Sequence, residues 1–244
     1  MSGHSKWKNI MHKKEKTDAQ RAKVFTKIGK EIAITVKESG TDPASNTKLR
    51  DLIAKAKSLN VPNDNIDRII KKASGSDSVS YEVVVYEGYG VGGIAVIVET
   101  TTDNRNRTAA DVRHYFDKFG GNLGTTGCVS FMFSDRGVIV INAEGIDEDK
   151  LMEDVLECGA DDFSREEEIF EVFTDIRDLS AVSSALADRG YEILSSEPDK
   201  IPSTYVKLTD EEQKVKMQKL LDTLDENDDV TGVWHNWDND GEDE

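Results

Sequence analysis

The amino-acid sequence predicts an α+β protein with an N-terminal three-helix bundle, a central α/β domain and an inserted ferredoxin-like (βαββαβ) domain. Three observations lead to this class. Apolar residues recur at helical spacing up to residue 75, strand-like segments joined by glycines follow, and a strand–helix–strand–strand–helix–strand pattern fills the region 136–197. The predicted boundaries are 1–78 for a basic arm and the bundle, 79–134 plus 201–237 for the central domain, 135–200 for the acidic insert, and 238–244 for an acidic tail.

The first predicted helix begins at Asp18, whose side chain can cap it, and runs to about Lys37. Its apolar stripe consists of Phe25, Ile28, Ile32 and Val36. On the opposite side, within about 80° of one another, lie Lys23, Lys27, Lys30 and Lys37. The pattern therefore predicts an outer lysine face that is open to solvent, where reversal of charge would leave the fold intact.

Two shorter amphipathic helices complete the predicted bundle. The second starts with Pro43 at its first helical position and ends at Val61. The third is capped by Asn63 or Asp64 and ends at Gly75. Three such helices can bury their apolar sides against one another.

The central domain is predicted from a change of period after residue 80. Its expected elements are strands over 81–87 and 94–101, a helix from about 104 to 119 and a strand over 128–133. Its closing elements are a strand over 204–208, a helix that begins with a Thr209–Glu212 capping box and runs to about 224, and a strand over 230–235.

The insert is predicted as six elements in βαββαβ order. They are a strand over 138–141, a helix over 147–158, strands over 160–164 and 168–173, a helix over 178–189 and a strand over 191–195. Pro198 and Pro202 are expected to mark the exit from this domain.

The strongest functional signal is the uneven distribution of charge. Residues 1–75 hold 17 Lys+Arg against 8 Asp+Glu, a net charge of +9, while the rest of the chain carries −26 and the whole chain −17. A cationic head on an acidic body can hold a polyanion on one side only. This favours a nucleic-acid-binding protein over a small-molecule enzyme.

The candidate site follows from this charge. Trp7 lies among the lysines of residues 2–16, a predicted flexible basic arm, and could stack on an exposed base. The predicted phosphate contacts are Lys6, Lys8, Lys13, Lys14, Lys16, Arg21, Lys23, Lys27 and Lys30. The alternative is a solvated helix face with a disordered tail.

A second phosphate contact is predicted from Arg105 and Arg107. They stand where a strand ends and a helix begins, and a helix N-terminus offers free N–H groups and positive potential. The alternative at this position is ordinary helix capping with arginines on the surface.

Enzyme signals are weak, and no catalytic residue, metal or cofactor is predicted. The run GYGVGG over 88–93 lies between two strands and lacks GK[ST], which excludes a dinucleotide fingerprint and a P-loop. Cys128 and Cys158 are not in metal-binding spacing and are expected to be reduced, buried thiols. A hydrolase that uses the fifteen acids of residues 144–178 is a remote alternative, which an activity screen with divalent metals would expose.

The apolar runs are strand-length, and no apolar run follows the basic N-terminus. We therefore expect a cytoplasmic protein without a membrane partner or a small-molecule substrate.

Several runs, taken in order, resemble the YebC family, the YebC/PmpR-type probable transcriptional regulators. They include SGHSKWKNI, RAKVFTKIGKEI, LIAKAKSLNVPNDNIDRIIKKASG, YEGYGVGGIAVIVE, TDNRNRTAADVRHYFDKFGGNLG and VSFMF, with GADDF, IPSTYVKL and VWHNWD further on. The resemblance implies a three-domain cytoplasmic protein that binds DNA and regulates transcription. Mitochondrial translational activators of cytochrome oxidase are similar, which implies action with the ribosome as the alternative. The chain departs from the family at Val91, where a proline is usual.

The nature of the polyanion stays open between promoter DNA and ribosomal RNA. The family resemblance favours DNA. The residues themselves favour RNA or the ribosome, because lysines position a nucleic acid but hardly specify a base sequence.

Overall fold

The computed structural model describes residues 18–75, 79–166 and 168–239, with the side chains of 18–21 and 166 outside that description. The mixed α+β class is confirmed: helices are combined with antiparallel sheets. The described residues fall into two compact units, a bundle–sheet unit (18–130 with 208–236) and an insert unit (131–207 with 237–239). The division into three domains stays a prediction.

Three helices open the bundle–sheet unit: α1 (Asp18–Ser39), α2 (Thr47–Ser58) and α3 (Asn63–Ala73). Their apolar sides meet in one core of buried residues, which contains Ile28, Ile32, Val36, Leu49, Leu52, Ala56, Val61, Ile66 and Ala73. The apolar stripe predicted for α1 lies in or against this core. The helical spacing of these residues is what allows three short helices to exclude water from one interior.

The start of α2 differs from the prediction at Pro43. The helix begins at Thr47, because the Asn46 side chain accepts the Leu49 N–H (3.1 Å) and thereby caps it. The Asn46 amide also donates to the carbonyl of Thr35 (3.2 Å), so the buried cap joins two helices. Pro43 lies in the preceding turn.

The sheet of this unit has four antiparallel strands, β1 (Glu82–Tyr89), β2 (Ala95–Thr102), β3 (Asn122–Leu123) and β9 (Val230–His235). Their order across the sheet is β3-β1-β2-β9. Helices α4 (Arg105–Lys118) and α7 (Glu211–Glu226) pack on it. Both helices bury the apolar positions that face the sheet, among them Val112, Phe116, Met217, Leu220 and Leu224.

Two local predictions in this unit are wrong. The strand expected over 128–133 is a short 3-10 helix, Ser130–Met132, because the segment before it folds around a buried carboxylate described below. Helix α7 is capped by Asp210 rather than Thr209, since the Asp210 side chain accepts the N–H groups of Glu212 (2.8 Å) and Gln213 (3.3 Å).

The insert unit follows the order βαββαβ. Its elements are β4 (Phe133–Asn142), α5 (Glu148–Glu157), β5 (Asp162–Glu166), β6 (Ile169–Thr174), α6 (Leu179–Asp188) and β7 (Ile193–Pro202). All strand pairs are antiparallel, in the order β5-β6-β4-β7. A separate two-residue parallel pair joins β8 (Val206–Lys207) and β10 (Trp237–Asp238).

Strand β7 continues through Pro198 and Pro202, which were expected to end the domain. Pro198 pairs with Gly137 and Pro202 with Phe133 at the far end of β4. Because β7 is at the edge of the sheet, a residue without an N–H can be accommodated there. The prolines therefore extend an edge strand instead of marking an exit.

Within the part of the chain that the structure describes, no helix has both the length and the apolar character needed to cross a bilayer.

Candidate nucleic-acid interface

The lysine face of α1 is directed against the C-terminal end of α7, not into solvent. The Lys27 ammonium donates to the carbonyl of Asp225 (2.5 Å) and lies 3.4 Å from its carboxylate. The Lys30 ammonium donates to the carbonyl of Asp228 (2.9 Å). The side chains of Lys27 and Lys30 are only 13% and 12% exposed. Two of the predicted phosphate contacts are thus held inside the protein.

The end of a helix explains why lysines gather there. The last carbonyls of α7 lack intrahelical partners and carry the negative end of the helix dipole, so ammonium groups are stabilised against them. Lys23 adds a third contact, with its ammonium 3.2 Å from the Glu226 carbonyl. Lys37, further along α1, donates to the carbonyl of Val79 (2.9 Å).

The predicted solvent exposure of this face is therefore wrong for Lys27 and Lys30. The angular spacing identified correctly what lies opposite the apolar stripe, but α1 is packed on both sides. Reversing Lys30 to Glu would place a carboxylate beside the buried Asp229, so this change is not expected to leave the fold intact. The phosphate contacts assigned to these lysines stay a prediction, and they would require the lysines to leave the contacts seen here.

Asp229 is the centre of a buried polar cluster. Its carboxylate, on a residue that is 5% exposed, lies 2.6 Å from the Lys30 ammonium and 2.7 Å from the Arg107 guanidinium. It also accepts hydrogen bonds from the hydroxyls of Thr108 (2.8 Å) and Thr102 (3.2 Å). One carboxylate thus connects α1, the end of β2 and the first turn of α4.

These contacts determine the ionisation of Asp229. Burial acts to raise the pKa of this carboxyl, but the hydrogen bonds from Arg107, Lys30 and Thr108 outweigh burial and lower the pKa to about 2. The group is therefore charged throughout the physiological range, as a carboxylate between two cations should be.

The N-terminus of α4 places the two predicted arginines in different roles. Asn104 caps the helix by accepting the Arg107 N–H (3.1 Å). The Arg107 guanidinium binds Asp103 (2.9 Å) in addition to Asp229, whereas the side chain of Arg105 is exposed. Arg107, although 49% exposed, is thus oriented by two carboxylates. A phosphate contact from either arginine stays a prediction.

The other predicted site residues lie outside the described residues. For Arg21 this applies to the side chain. The remaining residues of this group are Lys6, Trp7, Lys8, Lys13, Lys14 and Lys16.

The segment 124–130 is organised by a second buried carboxylate. Glu87, in β1, is 4% exposed and accepts the N–H groups of Gly127 (2.8 Å), Val129 (2.9 Å) and Ser130 (2.8 Å). Burial acts to raise the pKa of Glu87, yet these backbone donors outweigh it and leave the pKa lowered. Burial, and then the charge of Glu87, raise the pKa of the Cys128 thiol in the same segment.

The glycine-rich run between β1 and β2 has a packing explanation. A Cβ added at Gly90 would lie 2.6 Å from the Met217 sulfur of α7, so a side chain at this position would force the buried Met217 to shift. Gly92 has a φ of +70°, in the region that glycine favours. The run therefore packs closely against α7.

The structure also presents cations that sequence reasoning did not select. They are exposed on α2 and α3, and they comprise Lys48, Arg50, Lys57, Arg68, Lys71 and Lys72. The amphipathic pattern of these helices could have identified them, since the cations stand between buried apolar positions such as Leu49, Leu52 and Ile66.

No group of three or more His, Cys, Asp or Glu side chains suited to a metal ion occurs among the described residues. Cys128 and Cys158 are free and half-buried.

Comparison with known proteins identifies the family. Residues 5–76 match the model of the TACO1/YebC N-terminal domain, and residues 81–237 match that of the TACO1/YebC second and third domain. A probable transcriptional regulatory protein of Acetivibrio thermocellus is 59% identical over 97% of this chain and 99% of its own length. One of the same description from Caldicellulosiruptor bescii is 55% identical over 99% of this chain and 100% of its own.

A solved structure agrees with these matches. The crystal structure of a conserved hypothetical protein, Aq1575, from Aquifex aeolicus superimposes with a TM-score of 0.82 at 42% identity. The superposition covers 91% of this chain and 92% of that one. Family models that match nearly the whole sequence, together with relatives of this identity and coverage, show that the chain belongs to the TACO1/YebC family.

Proposed function

We propose that this protein is a non-enzymatic regulator of gene expression that binds nucleic acid through its N-terminal helices. The observation that carries the proposal is the separation of charge. Residues 18–75 hold 12 Lys+Arg against 7 Asp+Glu, whereas the whole chain has a net charge of −17. Phosphates are attracted to α1–α3 and repelled by the rest of the surface. The names of the relatives, probable transcriptional regulatory proteins, support this class.

The proposed binding surface is the exposed side of α2 and α3, extended by the lysines and Trp7 of the N-terminal arm. Arg68, Lys71 and Lys72 are exposed on α3, where side chains can reach phosphates without breaking a packed contact. Lys27 and Lys30 are left to their structural role at Asp229 and α7. Arg105 is a peripheral contact in this proposal.

The arrangement of charge on α3 supports sequence-tolerant binding. In a helix-turn-helix protein the first residues of the second helix read base edges. Here Asp64 and Asp67 occupy that part of α3, and the cations Lys71 and Lys72 are in its last turn. Lysines position a phosphate backbone but hardly specify a sequence. We therefore propose contact with the backbone of the nucleic acid rather than base readout.

Promoter DNA is the target that the relatives' names favour, and ribosomal RNA is the second candidate. The observation that favours RNA is the predominance of lysine, which suits an irregular RNA surface. On either target, the specificity ratio should be far below the roughly thousandfold or more of operator-binding proteins.

The combined change Arg68→Glu, Lys71→Glu and Lys72→Glu is expected to leave the fold intact, because all three side chains are exposed. Binding to duplex DNA and to structured RNA should fall sharply. The slope of log K against log salt should decrease by about 2 to 3, since each lost phosphate contact removes about 0.7–0.9. Fluorescence anisotropy over a salt series measures both quantities.

The matched control changes net charge by the same amount away from the bundle, at the exposed residues Lys150, Lys207 and Lys219. It should bind almost as well as the unmodified protein. Equal losses in the two triple variants would mean that total charge, and not the surface of α2 and α3, determines binding.

Sedimentation of cell lysate through sucrose at low and high salt separates the two targets. Ribosome binding predicts co-migration with ribosomes at low salt and release at high salt. If the protein stays at the top of the gradient at low salt and footprints a defined promoter tightly at physiological salt, the ribosomal candidate is wrong.

A further inference from the structure

The first half of β1 is an open edge of its sheet. Strand β2 pairs with β1 along its whole length, from Glu82 to Tyr89, whereas β3, on the other side, pairs only with Gly88 and Tyr89. No other strand adjoins β1 among the described residues. Within that part of the chain, the outer side of residues 82–86 thus has no neighbouring strand.

The backbone groups of Val83 and Val85 point to this open side. The direction is given by Glu87, whose carbonyl accepts the N–H of Gly124 (2.8 Å) on the side of β3. Because the direction of the N–H and carbonyl groups alternates along a strand, those of Val83 and Val85 point the same way as those of Glu87. These two residues therefore present N–H donors and carbonyl acceptors at the spacing of an antiparallel ladder.

The pairing with β2 leads to the same direction for Val83. Its opposite residue, Thr101, donates its N–H to the carbonyl of Asp229 (2.7 Å), away from β1. Residues directly opposite in an antiparallel ladder exchange either both hydrogen bonds or none, so Val83 and Thr101 form a non-hydrogen-bonded pair. Among the described residues, no backbone hydrogen bond reaches Val83 or Val85 from the open side.

The exposed side chains of this edge are apolar. Val83 is 50% and Val85 37% exposed, and the alternation of side chains places both on one face of the sheet. Residues 82–86 contain no lysine or proline, and Glu82 is their one charged residue. Sheet edges that must stay unpaired usually carry lysines, prolines or bulges. An exposed edge of valines without these features is suited to pairing with another strand.

We propose that residues 82–86 pair in antiparallel orientation with the same residues of a second copy of this chain, about a two-fold axis at Val84. In this register Val83 of each copy lies opposite Val85 of the other, and the outward N–H groups of each copy meet carbonyls of the other. The exposed valine side chains of both copies then pack together on one face. The register cannot slide towards the end of β1, because Gly124 occupies the outer side of Glu87.

The distribution of charge is compatible with a second copy at this edge. The axis places Glu82 of one copy opposite Tyr86 of the other, so the two Glu82 carboxylates are separated by roughly 13 Å along the strands. The whole chain carries −17, so two copies repel each other at low salt, and added salt screens this repulsion. We therefore expect the pairing to strengthen as salt is raised, the opposite of nucleic-acid binding.

A pair of chains would carry the exposed side of α2 and α3 twice. A nucleic acid long enough to reach both copies would then be bound more tightly than by one copy. This consequence rests on the proposed function, whereas the pairing itself does not.

Sedimentation equilibrium of the full chain over a concentration series, without nucleic acid, measures the pairing. A short edge buries little area, so we expect a monomer–dimer equilibrium with a dissociation constant in the micromolar range, strengthened by salt. Val85→Pro removes an outward N–H from each copy and no hydrogen bond from the ladder with β2. It should weaken the dimer by roughly tenfold or more and leave the circular dichroism spectrum unchanged.

Two lysine substitutions at equally exposed valines test the apolar contact. Val83→Lys places a charge on the edge and should weaken the dimer. Val215→Lys adds the same charge on α7, at a valine that is 51% exposed, and should not weaken it. Equal effects of the two substitutions would overturn the proposal. A chain that stays monomeric at every concentration and salt would also overturn it, and would leave the edge to an extended segment of another protein.

Cysteine cross-linking tests the register, in a chain that carries Cys128→Ser and Cys158→Ser. Val84→Cys should form a disulfide between copies on oxidation in air, because the Cα atoms of a non-hydrogen-bonded pair on the axis lie about 4.5 Å apart. Val83→Cys is the matched control, since its Cα atoms in the two copies would lie roughly 8–9 Å apart, beyond the reach of a disulfide. Cross-linking at residue 83 but not at residue 84 would overturn the register.

Discussion

Replacing Asp229 by alanine is expected to destabilise the bundle–sheet unit by about 3 kcal/mol or more, since its removal leaves the largely buried Lys30 ammonium without its carboxylate partner. Lys30, whose side chain is 12% exposed, would keep its ammonium beside Arg107 with no carboxylate between them. The hydroxyls of Thr108 and Thr102 would also lose the hydrogen bonds that they donate to this carboxylate. Calorimetric unfolding should show a loss of roughly 10 °C in melting temperature for this unit.

The matched control is Asp228→Ala. Asp228 is exposed and contacts Lys30 through its backbone carbonyl, which the substitution keeps. Its effect should stay within about 0.5 kcal/mol. Similar losses at the two positions would mean that general acidity near α7, and not the geometry at Asp229, stabilises this region.

The stabilisation that the Asp229 carboxylate provides depends on pH. Its pKa is about 2 in the folded protein against an ordinary 3.8, so its stabilising effect is complete above pH 4 and is lost as the pH falls towards 2. The stability difference between the unmodified protein and Asp229→Asn should therefore shrink by about 2 kcal/mol across that interval. Denaturant unfolding at pH 5, 4, 3 and 2 measures it, and a constant difference would contradict the assigned ionisation.

Replacing Glu87 by alanine is expected to cost about 2–4 kcal/mol and to release the segment 124–130. The buried N–H groups of Gly127, Val129 and Ser130 would lose their common acceptor, and unmade buried hydrogen bonds are expensive. Hydrogen exchange should show lost protection at these amides, because the segment opens independently of the sheet.

The thiol of Cys128 provides a second readout of the Glu87 substitution. Burial and the Glu87 charge raise its pKa, so it should react faster with a thiol reagent once both are reduced. Cys158, in the insert unit, is an internal reference whose rate should not change. Glu82→Ala, at an exposed residue of the same strand, is the matched control. An unchanged Cys128 rate in Glu87→Ala would show that Glu87 does not hold this segment.

Local patterns predicted the elements well where one interaction dominates. The apolar stripe of α1 and the strand over 230–235 could be predicted from hydrophobic periodicity and residue propensity alone. The strand has the predicted bounds. Caps were harder, because several residues of similar chemistry compete for one helix start. Asn46 and Asp210 prevailed over the predicted Pro43 and Thr209 through hydrogen bonds that depend on the final backbone.

The candidate site was less predictable for a physical reason. Lys30 and Asp229 are 199 residues apart, and nothing local distinguishes Asp229 from the acids beside it in the run 225–229. A helical wheel separates an apolar from a polar side but does not show that the polar side also packs. The exposed Arg68, Lys71 and Lys72 of α3 were predictable, since the same periodicity that predicts the core also predicts that these side chains face solvent.

The separation of Lys30 from Asp229 along the chain has a consequence during synthesis. At about 5–20 residues per second, a ribosome needs roughly 10–40 s to extend the chain from one residue to the other. During that interval α1 exists without the carbonyl groups and carboxylate that later hold its lysines. In the nascent chain the lysines of α1 are therefore not yet paired, and the end of α7 with the turn after it, made late in synthesis, completes the contacts of the helix that was made first.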